Sequence, residues 1–150
     1  MGSGRKNPEV LVIVKTLSIK LPWAEMIMNG QKRIEFRTWK TSYRGPLLIV
    51  ASKKPNIPAP GSGNTTLPGK SLCIVDIVAC RETIFGDYSE PGYPQGGWPR
   101  PWYSWIFSSR YIVNRIPIKG RLGIYNYNIL DDSIIAAWEE ATKYFMNPPF

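Results

Sequence analysis

The longest unbroken aliphatic runs in this sequence, Val10 to Val14 and Leu47 to Ala51, are each five residues long. A run of that length suits a buried strand and falls far short of the roughly 20 apolar residues that span a bilayer. Thirteen glycines and fourteen prolines punctuate the 150 residues, favouring turns and short elements over long helices. With 43% hydrophobic and 20% charged residues the chain excludes disorder and coiled coil, and its length suits a single domain with its own core. No signal-peptide pattern opens it, so a soluble, cytoplasmic protein with no membrane partner is expected.

Residues 1–9 carry no periodic pattern and are expected to form a flexible tail before one domain over residues 10–150. Val10 to Val14 predicts a buried strand, and Leu17, Ile19 and Leu21 alternate with polar residues as a half-buried one. Pro22 suits a first helical turn, Trp23 to Met28 a short helix, and Asn29-Gly30 its stop. From Arg33 to Trp39, Ile34, Phe36 and Thr38 share one face; Arg33, Glu35, Arg37 and Trp39 share the other. Leu47 to Ala51, Leu72 to Cys80, Trp102 to Phe107, Tyr111 to Ile118 and Leu122 to Tyr125 predict further strands. Residues 55–69 and 86–101 are Gly- and Pro-rich loops, the second carrying Tyr88, Tyr93 and Trp98. Asp131-Asp132-Ser133 caps a closing helix whose Ile135, Trp138, Ala141, Thr142 and Phe145 share a face. Six or seven short strands with two helices give a mainly β (α+β) fold, expected as a small, mostly antiparallel β-barrel with peripheral helices.

The sequence has no histidine, which removes the commonest general base and metal ligand, and with them any Ser-His or Cys-His pair. The two cysteines, Cys73 and Cys80, are seven apart in one predicted strand, facing opposite ways roughly 23 Å apart at about 3.3 Å per residue. They cannot bridge, and they are expected as core filler in a reducing compartment, with no metal site and no cofactor. Residues 1–54 carry eleven Lys and Arg against three Glu, so the whole net charge of +8 lies in the first third. That asymmetry points to an anionic partner, nucleic acid before a membrane surface, although solubility alone accommodates a charge of this size.

Three segments carry a resemblance. Leu17-Ser18-Ile19-Lys20-Leu21-Pro22-Trp23-Ala24, then Asn29 to Trp39, then Tyr43 to Ser52 resemble the ASCH domain family of the PUA-like superfamily, whose G-x-K-x-x-E-x-R hallmark is matched by Gly30, Lys32, Glu35 and Arg37. The likeness continues through Cys73 to Val78 and Ile116 to Ile124, covering roughly residues 16–126. It implies a β-barrel with a cleft beside the motif that binds RNA or another nucleic acid. Some small bacterial relatives look like amidohydrolases acting on N4-acetylcytidine through a Lys and a Thr in the matching segment. Here Lys32 is kept, but Glu35 stands in place of the Thr, so no deacetylation is expected. Leu21, Val50 and Cys73 also depart from the usual Gln, His and Gly.

The residues proposed to bind RNA are Lys32, Glu35, Arg37, Trp23, Trp39, Arg44, Ser52 and Lys53, with Lys40 and Lys54 completing a basic rim. Lys32 is read as a mobile charge for phosphate and Arg37 as a planar fork for phosphate or base. Glu35 is an acceptor for an exocyclic amine, and the tryptophans are stacking surfaces. Other readings stay open. Glu35 and Arg37 also suit an ordinary ion pair, and Trp23 and Trp39 suit packing between helix and sheet. A metal-independent amidohydrolase or ribonuclease would use Lys32 as base and Glu35 as proton shuttle, and a reader of one modified nucleotide would need an enclosed pocket.

Overall fold

The structure, a computed structural model, describes residues 11–95 and 101–146. The tail expected over residues 1–9 and the loop residue Trp98 lie outside them. In chain order the elements are β1 (Val12–Ile19), α1 (Trp23–Met28), β2 (Ile34–Arg37), β3 (Gly45–Ala51), β4 (Ser71–Glu82), a 3-10 turn (Phe85–Ser89), β5 (Tyr103–Ile112), β6 (Ile124–Ile129) and α2 (Asp132–Met146). The six strands form one mixed sheet in the order β2-β5-β4-β3-β1-β6, an α+β architecture. Among the described residues only β1 and β3 pair in parallel; the other four ladders are antiparallel.

The sheet is open, which corrects the expected barrel. Closure needs every strand paired on both sides. Among the described residues β2 pairs only with β5, and β6 only with β1. The two edges are not joined to each other, and β1 is already filled by β3 and β6.

Three details differ from the periodicity reading. β1 is one strand rather than two, because Lys15 and Thr16 continue its ladder with β6. Ser108-Ser109-Arg110 reads as a break but is a bulge: Ser109, at φ 57°, lets β5 continue against β4 to Ile112. The strand expected over Tyr111 to Ile118 therefore loses its start to β5, and its remainder makes a single bridge, Lys70 to Pro117. A register shift in β4 after Ile77 also reverses the alternation, so Cys73 and Cys80 contact the same core rather than opposite faces.

Two apolar cores flank the sheet. The first joins α1 to Leu17, Ile19, Leu47, Ile49, Val75 and Trp105; the second joins Ile134, Ile135 and Ala141 of α2 to Val14, Leu48, Val50 and Ile74. β3 is buried at all seven positions because it lies under both layers, which explains its unbroken aliphatic run. Glu25 of α1 is buried, and its Oε1 accepts a hydrogen bond from the Ala59 amide at 2.7 Å, pinning the 55–69 loop. Among the described residues no helix is long and apolar enough to cross a membrane.

Candidate functional site

The segment from Gly30 to Arg37 places its charged side chains through local geometry. Gly30 has a φ of 86°, which ends α1 in a left-handed turn, and a side chain there would collide with the Arg110 guanidinium. The chain doubles back so that the Lys32 amide donates to the Met26 carbonyl at 3.0 Å. Lys32 is thereby turned inward and is 2% exposed. Its Nζ donates to the Pro91 carbonyl at 2.6 Å, lies 3.8 Å from Glu35 Oε1, and sits 5.5 and 4.9 Å from the ring centroids of Trp23 and Phe36.

Lys32 is therefore a buried, multiply held charge and not the mobile one expected from sequence. Burial lowers its pKa, opposed first by Glu35 and then by Glu90. Its nitrogen ties the loop after the 3-10 turn to the motif. Two further contacts hold that loop: Glu90 Oε1 accepts from the Arg33 amide at 3.0 Å, and Tyr93 packs edge-on to Phe36 at 5.7 Å. Gly92, with a φ of 82°, closes over Lys32 and Trp23, where a Cβ would lie 3.0 Å from Nζ.

Glu35 and Arg37 share a face of β2, as the alternation predicts. Arg37 Nε donates to Glu35 Oε2 at 3.0 Å, and Nη2 donates to the Ser18 carbonyl at 3.1 Å. The ion pair foreseen as the plainer reading is thus present. Glu35 lies between two cations and is buried, while the Arg37 side chain keeps 23% of its surface exposed. Two contacts use two of the five guanidinium N–H groups, leaving donors for a ligand.

These groups line a cleft of about 440 Å³ at the open side of the sheet, within the range of small-ligand sites. Its charged lining is Lys20, Lys32, Arg37 and Arg121 against Glu35, and its aromatic walls include Trp23 and Trp102. A second cavity of about 460 Å³ adjoins it, sharing Ser18, Ser52, Arg121 and Leu122 and adding Lys53 and Lys119. A third, of about 290 Å³, opens beside Gly30, Arg33 and Arg110; it is smaller, and among the described residues its lining has no carboxylate acceptor.

Of the residues proposed from sequence, Trp23, Lys32, Glu35, Arg37 and Ser52 meet at the first cleft and Lys53 at its neighbour. Trp39 does not line either: it is 38% exposed and stands edge-on to the buried Trp105 at 4.6 Å, its carbonyl accepting from the Trp105 indole at 3.1 Å. Arg44 is turned back on its own loop, with Nη1 donating to the Thr41 and Tyr43 carbonyls at 3.0 and 2.9 Å. Lys40, Lys54 and Arg44 are absent from the linings of these two cavities, whose rim comes instead from Lys20, Lys119 and Arg121. Lys20, Ser18, Trp102, Arg121 and Leu122 line the cleft and were not among the binding residues proposed from sequence. The stretch Ile116 to Ile124 carries part of the resemblance and was the available signal for Arg121.

Comparison with known proteins agrees with that motif. Residues 17–121 match the ASCH domain family. The chain belongs to that family. The ASCH fold is PUA-like, and the match runs from Leu17, late in β1, to Arg121, taking in all the residues that line both cavities except Leu122 and Gly123. A stretch of 41 residues is 49% identical to activating signal cointegrator 1 of Homo sapiens, covering 27% of this chain and 7% of that protein. A 38-residue stretch is 47% identical to the Mus musculus protein of the same name, covering 25% and 6%. The likeness thus spans less than a tenth of these relatives. The crystal structure of ASCH from Zymomonas mobilis superimposes with a TM-score of 0.55 at 11% identity, over 74% of this chain and 85% of that one. A mutant of that protein gives 0.58 at 10% identity over 81% and 95%. At such identity the structural likeness establishes the ASCH fold alone.

Proposed function

We propose that this ASCH domain protein binds single-stranded nucleic acid, RNA foremost, by admitting one unpaired base to the cleft beside Lys32, Glu35 and Arg37. The observation that carries this reading is the cleft's charge pattern, four cations around one buried carboxylate, with two tryptophans among its walls. Cations of that number suit a phosphate backbone. A carboxylate held fixed by Lys32 and Arg37 is an acceptor for the exocyclic amine of cytosine or adenine, and neither uracil nor thymine has one. Trp102 offers a stacking surface, since the Trp23 ring already has Lys32 over it. The Ser18 and Ser52 hydroxyls supply partners for a ribose 2′-OH, which favours RNA over DNA. Family membership supports the same reading through the resemblance described above.

Fluorescence anisotropy with a labelled single-stranded RNA, its duplex form and the matching single-stranded DNA tests it. The account expects the single-stranded RNA to bind at least tenfold more tightly than the duplex, and cytosine- or adenine-rich strands to outbind uracil-rich ones. In Glu35→Gln that base preference should shrink several-fold. Equal affinity for duplex and single strand, or no binding at low salt, would overturn it.

A further inference from the structure

The second cavity has no role in the reading above, yet its chemistry is specific. Among the described residues it is lined by Lys53, Lys119 and Arg121 and by no carboxylate. Two of those cations come from residues 119–121, in the part of the sequence that is neutral overall. The Lys53 stem is laid against Gly69, where a Cβ would sit 3.2 Å from Lys53 Cγ.

The wall between the cavities is firmly placed. Ser18 Oγ and the Tyr125 hydroxyl are hydrogen-bonded at 2.8 Å, and Tyr125, its pKa raised by burial, also contacts the Arg121 backbone. Gly120 passes so close that a Cβ would lie 3.1 Å from Ser18 Oγ. On this wall stands Leu122, 98% exposed and yet shared by both cavities. An isolated aliphatic side chain, fully presented at the lip between two basic cavities, has the position of a wedge between two bases.

We infer that the second cavity takes the neighbouring nucleotide of the same strand, so that the ligand is an oligonucleotide read at two positions rather than a single nucleoside. The inference rests on the base-binding reading of the first cleft. The linking phosphodiester crosses the shared wall against Arg121, and the Ser18 and Ser52 hydroxyls flank it. Lys53 and Lys119 face the same linking phosphate from the second cavity, and Leu122 separates the two bases, which enter different cavities instead of stacking on each other.

Titration calorimetry of the intact protein with cytidine and adenosine, then with the dinucleotides CpC and ApA and the matching trinucleotides, tests this. The dinucleotide should bind at least tenfold more tightly than its nucleoside, and the trinucleotide less than threefold more tightly again. In the double variant Lys53→Ala with Lys119→Ala, the gain from nucleoside to dinucleotide should vanish while nucleoside affinity stays within twofold. Leu122→Ser should reduce the gain from nucleoside to dinucleotide several-fold. A dinucleotide no tighter than its nucleoside, or a gain that survives the double variant, would overturn the inference and leave the first cleft's role standing. Absence of binding at every length would overturn both.

Discussion

The guanidinium of Arg37 on edge strand β2 donates through Nη2 to the main-chain carbonyl of Ser18 on β1 at 3.1 Å, joining two strands that share no backbone ladder. That carbonyl lies one residue past the last β1–β6 pair, Leu17 with Ile124, where β6 no longer covers the strand. A side chain thus spans the gap that barrel closure would have filled, and the gap is the cleft.

Arg37→Ala should therefore act twice. It removes two hydrogen bonds from a charged donor, costing on the order of 1 to 2 kcal/mol of stability at a partly exposed site, and it should weaken RNA binding about tenfold. Lys53→Ala, at an exposed residue, should leave stability unchanged and weaken binding by only a few-fold. Chemical denaturation and anisotropy on the two variants check this. Equal binding losses with both proteins folded would move the site to the rim.

Salt should weaken RNA binding steeply. If about four phosphates are neutralised, a slope near −0.7 per contact gives a loss of tens of fold between about 50 and about 200 mM salt. Titrations at four ionic strengths read the slope directly, and a flat response contradicts an electrostatic interface.

The motif was legible because its geometry is local: Gly30, Lys32, Glu35 and Arg37 fall within one turn and one short strand, and alternation alone puts Glu35 and Arg37 together. The rest of the cleft was not, since Lys20, Trp102 and Arg121 come from segments that only the strand order brings side by side. The depth of Lys32 escaped for a similar reason, because the burying groups, Pro91 and Gly92, arrive from a loop nearly sixty residues away. In the fold, Ser108-Ser109-Arg110 shows the limit of periodicity: a bulge and a break have the same polar signature, and only the β4 ladder distinguishes them. The +8 charge pointed to an anionic partner, but its sequence distribution did not locate the rim, where Lys119 and Arg121 come from the neutral portion and only Lys20 from the basic one.

Asp76 on β4 makes stability depend on pH. It is 3% exposed, its Oδ1 has no hydrogen-bond partner among the described residues, and burial raises its pKa from 3.8 to about 6 against a smaller opposing bond from Ser109. Below about pH 4 the carboxyl is protonated folded or unfolded and costs nothing. As pH rises through 4 to 6 the unfolded chain releases the proton first, so stability falls, and above about pH 6 the full penalty is present. Asp76→Asn should stabilise the protein by about 2 kcal/mol near pH 7, roughly 5 °C in Tm, with the difference vanishing towards pH 4. Thermal melts of both proteins across that range check it, and a gap that widens at low pH contradicts it.

Deacetylation of N4-acetylcytidine should stay at background. Glu35 offers no hydroxyl nucleophile, and the Lys32 nitrogen is committed to the Pro91 carbonyl and buried beneath Gly92. Following cytidine release by chromatography decides this, and turnover that disappears in Lys32→Ala would make the protein an enzyme.

The most direct test of the account is an NMR titration of the isotope-labelled protein with a short cytosine-rich single-stranded RNA. The account predicts the largest shift changes at Ser18, Trp23, Glu35, Arg37, Trp102 and Arg121, with little change at Lys40, Arg44 and Lys54. Changes centred on Lys40, Arg44 and Lys54, with the cleft residues unmoved, would contradict it.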